Sequence, residues 1–205
     1  MRIGMRRFLV TATVLGLALG AAGRGQAAIL LTATEVGSDV LLTGSGTANL
    51  ADLFLLPGGG GATGSSGIDP SEPAAVTGPA NPTLIDVYVG VNSPAPFGPG
   101  GLTFPTSGTG DVFGANSSVL VVPTGYTSGV PLFGTSTFAG ATLASLGVTP
   151  GTYVWTWGTG ANADSLTLQI VPTAPAAIPE PGTLSLLLMG GMTTGAGVLR
   201  RRRNV

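Results

Sequence analysis

The chain has 205 residues, rich in Gly (35) and Pro (16), with 43% hydrophobic but only 8% charged side chains. All eight basic residues are Arg and lie near the two ends (Arg2, Arg6, Arg7, Arg24, Arg200, Arg201, Arg202 and Arg203), so residues 28–178 carry eight carboxylates and no cation. That charge excludes nucleic-acid binding, which is built on Lys and Arg neutralising phosphates. The absence of Cys and His excludes disulfides, Cys/His zinc sites and Ser-His-Asp or Cys-His nucleophiles.

The first 27 residues read as a secretory leader. Residues 1–7 are basic, residues 8–22 form an apolar run, and residues 23–28 are small. Cleavage after Ala27 puts Gly25 and Ala27 at the small-residue positions. The apolar run is short for a span of about 20 residues, so it is expected to be removed. The chain is expected to leave the cytoplasm.

Residues 28–171 have single-domain size. Residues 29–36 and 40–43 flank Gly37-Ser38-Asp39 as a first hairpin. Residues 50–56 are an apolar run ended by Pro57. Residues 84–91 alternate, with Ile85, Val87, Val89 and Val91 on the apolar face and Asp86 and Tyr88 on the polar one. Residues 118–122 form a short strand stopped by Pro123. Residues 152–157 and 165–171 flank the loop 158–164, the clearest hairpin in the chain. The Pro/Gly-rich stretches 57–82 and 93–110 read as long surface loops, and 172–178 as a linker. No stretch of the body keeps helical spacing. The expected fold is all-β: an antiparallel β-sandwich, plain or jelly-roll-like.

Chemistry is sparse. Tyr153, Trp155 and Trp157 share one strand face, either as aromatic core or as an exposed platform for stacking sugars. Asp86, Asp111 and Asp164 are the carboxylates that a hydrolase would draw on, but nothing in their spacing pairs them. Asp69 with Glu72, or Asp111, offer loop oxygens of the kind calcium accepts, without an EF-hand pattern. No metal or other cofactor is expected. Gly158-x-Gly160-x-x-Ala163 follows a strand but precedes another strand, so it lacks the helix a dinucleotide site needs.

The C-terminus carries three parts in order: Pro179-Glu180-Pro181, an apolar stretch over 183–199, and Arg200, Arg201, Arg202 and Arg203. A helix over 183–199 would span roughly 25 Å against a hydrocarbon core of about 30 Å, a weak span with four glycines in it. The arginines act as a stop-transfer signal on the cytoplasmic side. Pro-Glu-Pro does not continue a helix and stays extended. With the leader, these parts resemble the PEP-CTERM sorting signal, a tail also labelled as the C-terminal domain of ice-binding proteins. The body ending in GTYVWTWGTGANADSLTLQI is similar to one recurrent type among PEP-CTERM cargo. The resemblance implies recognition of residues 179–181 by an exosortase, a single transmembrane helix that holds the precursor in the inner membrane, and removal of that anchor. It further implies delivery to the cell surface or outside, often beside exopolysaccharide. An ice-binding body would need regularly stacked Thr rows. Thr32-Ala-Thr34 and Thr135-Ser-Thr137 do not recur at a fixed period.

Overall fold

The computed structural model describes residues 28–172. The predicted leader, the linker beyond Pro172, the Pro-Glu-Pro motif, the apolar span and the terminal arginines lie outside the described residues. The described chain is all-β, with one 3-10 turn at Gly160–Asn162.

Two sheets face each other across one core. The first has the order β12 (Gly151–Trp157), β13 (Asp164–Val171), β1 (Ala28–Val36), β2 (Asp39–Gly46), β11 (Leu132–Phe138), β8 (Ser107–Gly110). The second runs β3 (Phe54–Leu55), β7 (Thr83–Val89), β10 (Val119–Pro123), β9 (Phe113–Asn116), β6 (Ala74–Thr77), β5 (Gly67–Asp69). A short strand, β4 (Ala62–Gly64), also pairs with β7. Every pairing is antiparallel except one. β1 runs parallel to β13, with Ala28 opposite Ser165 and Thr34 opposite Val171. The purely antiparallel expectation is corrected there: β1 and β13 lie 120 or more residues apart in sequence and meet without a hairpin.

Period-2 patterning explains the first sheet. In β1, Ile29, Leu31 and Ala33 are buried while their neighbours face out; Val40 and Leu42 do the same in β2, and Leu166, Leu168 and Ile170 in β13. Gly37, at φ 64°, turns β1 into β2 as a two-residue loop. The sheets touch closely at Gly44. A Cβ there would stand 2.6 Å from Leu31 Cδ2, 2.7 Å from Thr77 Cγ2 and 2.8 Å from Phe113 Cζ. Beside it, Thr77 Oγ1 donates to Leu42 O (3.2 Å). Ser136 Oγ accepts from Gly78 N (3.0 Å) and donates to Gly78 O (2.8 Å). Both hydroxyl residues are fully buried, and these bonds join one sheet to the other.

Three sequence expectations change. Residues 50–56 contribute only the two residues of β3; Leu53 N bonds Leu50 O in a turn, and Leu53 alone of the run is buried. The stretch 57–82 is no plain loop. It holds β4, β5 and β6, and all four residues of β6 are buried. Within 93–110, Phe97 enters the core and residues 107–110 form β8. Short strands punctuated by Pro and Gly look like loops because each is too short to show a period.

A fourth change concerns β7. Asp86 and Tyr88 pair in register with Val122 and Leu120, both in the main core. Cross-strand partners share a face, so Asp86 and Tyr88 point to the core side. Ile85 and Val87 lie on the opposite face, in a second cluster with Val76, Val112 and Val121, and Ala62 of β4 packs against it. Over residues 85–88 the alternation is correct but its sense is inverted, because β4 gives the outer face something to bury against; beyond Gly90, Val91 enters the main core as expected.

The Gly44 contact makes a prediction. Gly44→Ala overpacks the sheet interface and is expected to cost about 1–3 kcal/mol. A urea midpoint equal to that of the parent chain would contradict the described closeness of the sheets.

Candidate functional site

The carboxylates are the ionisable side chains from which a site would be built. Among the described residues, seven of the eight accept hydrogen bonds from backbone amides. Leu143 N donates to Glu35 Oε1 (2.6 Å), Gly140 N to Asp39 Oδ1 (2.9 Å) and Thr159 N to Asp52 Oδ2 (3.0 Å). Ser71 N and Glu72 N both donate to Asp69 Oδ1 (3.2 Å each), closing a local turn. Phe133 N donates to Asp111 Oδ2 (3.1 Å). Gly61 N and Gly125 N each donate to one oxygen of Asp86 (2.9 Å each). Asn49 N and Ser165 N each donate to one oxygen of Asp164 (2.7 and 2.6 Å). Four of these residues, Glu35, Asp39, Asp52 and Asp164, reach amides more than 100 positions away.

The hydrolase trio is thereby dispersed. Asp111 lies beside β8 and β11, and Asp164 opens β13. The strand order separates them by three to four strands, roughly 15–20 Å, beyond the ~5–10 Å of a paired-carboxylate site. Asp86 stands on the other sheet with both oxygens engaged. The Gly125 amide holds its carboxyl below the ordinary range; partial burial opposes this, and the Gly61 amide and Thr124 hydroxyl add to it. Among the described residues no cluster of three or more His, Cys, Asp or Glu is placed to hold a metal. Asp69 serves the turn at Ser71 and Glu72, and Asp111 the β11 backbone.

Asp164 lines a cavity. It has about 300 Å³ and is walled by Ala28, Thr156, Trp157, Gly158, Ala163, Asp164 and Ser165. Asp164 is 6% exposed. Burial pushes its carboxyl up, while the Asn49 and Ser165 amides pull it down by less. Asn49 ties the wall together, its N–H on Asp164 and its carbonyl accepting from Trp157 Nε1 (2.8 Å). Asp52 holds the adjoining loop through Thr159 N and Asn162 Nδ2. Behind the Asn49 segment, the Tyr126 hydroxyl accepts from Ala48 N (2.9 Å) and donates to Val130 O (2.7 Å).

The sugar-stacking role drawn for Tyr153, Trp155 and Trp157 is corrected. They do share one face, but it is the core face. Trp155 and Trp157 are 0% and 2% exposed, leaving no ring surface for a sugar. Phe97 packs on Tyr153 (centroids 5.1 Å) and edge-on to Trp155 (6.3 Å), arriving from the segment read as a surface loop. Tyr153 is half-buried and its hydroxyl donates to Thr149 O (3.0 Å). Trp155 Nε1 is buried with no partner among the described residues.

Strand register builds a surface that sequence spacing did not reveal. On the outward face of the six-stranded sheet, Thr152, Gln169, Thr32, Thr43, Thr135 and Thr109 stand in one row, one from each strand. The next row is Val154, Thr167, Leu30, Ser45 and Phe133, with Phe133 59% exposed. Asp39 and Asp111 stand only at the margins of these rows. Rows of Thr do not repeat side by side, so the ice-face pattern is not met. A row across strands is invisible in a linear reading because its six members come from six strands spread along the chain.

Asp86 supplies a pH prediction. A carboxyl held below its ordinary pKa stabilises the fold above that ordinary value, and the contribution fades as pH falls through the folded one. Asp86→Asn, which leaves one of two amides poorly matched, is expected to cost about 1–3 kcal/mol at pH 7. In urea titrations the gap from the parent chain narrows toward pH 3; a gap that is constant with pH would count against the assignment. Comparison of the chain with protein-family models, with curated proteins and with solved structures finds no match.

Proposed function

We propose that the chain is an exported, non-enzymatic protein of the cell envelope or extracellular matrix, sorted by an exosortase through its PEP-CTERM-like tail. The observation that carries the non-enzymatic part is the use of carboxylates. Seven of the eight in the described body are acceptors for backbone amides, most of them reaching across the fold. A body whose ionisable groups hold its own loops is a scaffold, a sandwich of plain or jelly-roll-like type. The tail residues Pro179, Glu180 and Pro181 carry the sorting part, with Arg200, Arg201, Arg202 and Arg203 as the cytoplasmic stop. In this reading the precursor sits in the inner membrane through residues 183–199 and the mature protein reaches the surface or the medium.

A second reading, binding of the exopolysaccharide matrix, is favoured by the outward face of the six-stranded sheet. Its Thr row and the exposed Phe133 and Val154 give hydroxyls and apolar surface without charge at the centre. Such a surface fits a neutral polyhydroxylated polymer better than an ionic one, with Phe133 taking the place first given to Tyr153, Trp155 and Trp157.

Two experiments test these readings. Mass spectrometry in the native host should find the terminal arginines missing, and an exosortase deletion should restore them; an intact tail in the exosortase-positive host sinks the sorting reading. For the second, Phe133→Ala and Thr135→Lys are expected to weaken co-sedimentation with the host polysaccharide about tenfold, the equivalent of about 1.4 kcal/mol. Unchanged binding by both folded variants removes that face from consideration.

A further inference from the structure

The cavity at Asp164 lies where the predicted leader would be cut. Ala28, the first residue after that cut, lines the cavity together with Asp164 and Ser165. Parallel pairing sets Ala28 opposite Ser165, so the nitrogen of Ala28 stands on the Asp164 side of that pair. One short segment ties both: Thr47 N donates to Ala28 O (3.3 Å), and two residues on, Asn49 N donates to Asp164 Oδ2 (2.7 Å).

Asp164 is an unusual group for such a place. It is nine-tenths buried, and its partners are two neutral amides. Residues 28–178 contain no Lys, Arg or His. Removing the leader takes Arg2, Arg6, Arg7 and Arg24 away and creates one new cation, the α-ammonium of Ala28. A cavity of about 300 Å³ has room for an ammonium and several waters, each of which takes about 30 Å³.

We propose that the Asp164 cavity is a binding site for a primary ammonium, and that its occupant is the chain's own α-amino group, freed when the leader is cut after Ala27. This rests on the leader reading above. Processing then converts an uncompensated buried carboxylate into an ion pair and locks the β1 start onto β13. Two other titratable groups stand near: Asp52, which holds the 158–163 loop and adds negative potential, and Tyr126, behind Ala48, whose hydroxyl is pushed up chiefly by burial and in part by Asp164.

The pH behaviour has a definite sign. An amine paired with a carboxylate has a raised folded pKa. Its stabilisation is full below the ordinary α-amino value of about 8 and disappears as pH rises through the folded value. Without the ammonium, burial leaves Asp164 raised, as described, and its charge opposes folding at neutral pH.

The test uses the chain from Ala28 to Val205 in detergent, released from an N-terminal fusion by a protease that leaves Ala28 first. It is compared with the same chain retaining Ala27, with the Nα-acetylated chain, and with Asp164→Asn. The α-amino pKa, read by pH-dependent labelling, is expected to be about one pH unit above the ordinary value only when Ala28 is first and Asp164 is intact. The Tm advantage over the acetylated chain should close above that pKa. Acetylation keeps the proposal testable if Asp164→Asn fails to fold. An ordinary α-amino pKa in the folded Ala28 chain overturns the ammonium site while the leader reading stands. A host-exported protein whose first residue is not Ala28 overturns the leader reading and, with it, this occupant.

Discussion

A body with eight carboxylates and no cation has to satisfy them with something other than salt bridges. Backbone amides take that role. An ionised oxygen accepting an N–H makes a shorter and stronger bond than a neutral acceptor does, and several of these bonds help to fix the segments between strands. Gly61 and Gly125 are drawn to Asp86 from both sides of β7. Asp52 gathers the turn before β13, and Glu35 holds the segment after β11. In a chain without cysteine these contacts do the tying of distant loops that disulfides do in many small secreted domains.

The same economy of side chains governs the core. The sheets approach closely where Gly44 and Gly134 leave room for Thr77 and Phe113. Burying two hydroxyls there is tolerable because both are bonded to backbone of the opposing sheet. Glycine in a strand interior is usually a weakness. Here it sets the distance between the layers, and the abundance of glycine in the composition is partly the trace of such contacts.

What was legible follows from the range of each interaction. The β1–β2 and β12–β13 hairpins were readable because strand period and turn lie within one short window. The all-β class was readable from the punctuation of the whole chain. β6 was not: Ala74-Ala-Val-Thr is four residues between prolines, and only the pairing with β9 and β5 makes it a central strand. The facing of Asp86 was not legible either, since alternation names two faces without saying which one meets the core. The shared face of Tyr153, Trp155 and Trp157 was readable, and its burial depended on Phe97, which arrives from more than 50 residues upstream. The Asp164 cavity needed the parallel β1–β13 pairing, a contact between the two ends of the body that no local pattern encodes.

That pairing also sets an order of events. β1 is flanked by β2 on one side and by β13 on the other, so half of its backbone bonds wait for the last strand of the body. Long-range closure of this kind is slow compared with hairpin formation. A chain threaded through a membrane pore with its N-terminus leading would offer β1 and β2 early, yet the six-stranded sheet stays open until residue 171 has emerged. In such a passage the body would stay open until its last strand had emerged, a timing written into the strand order.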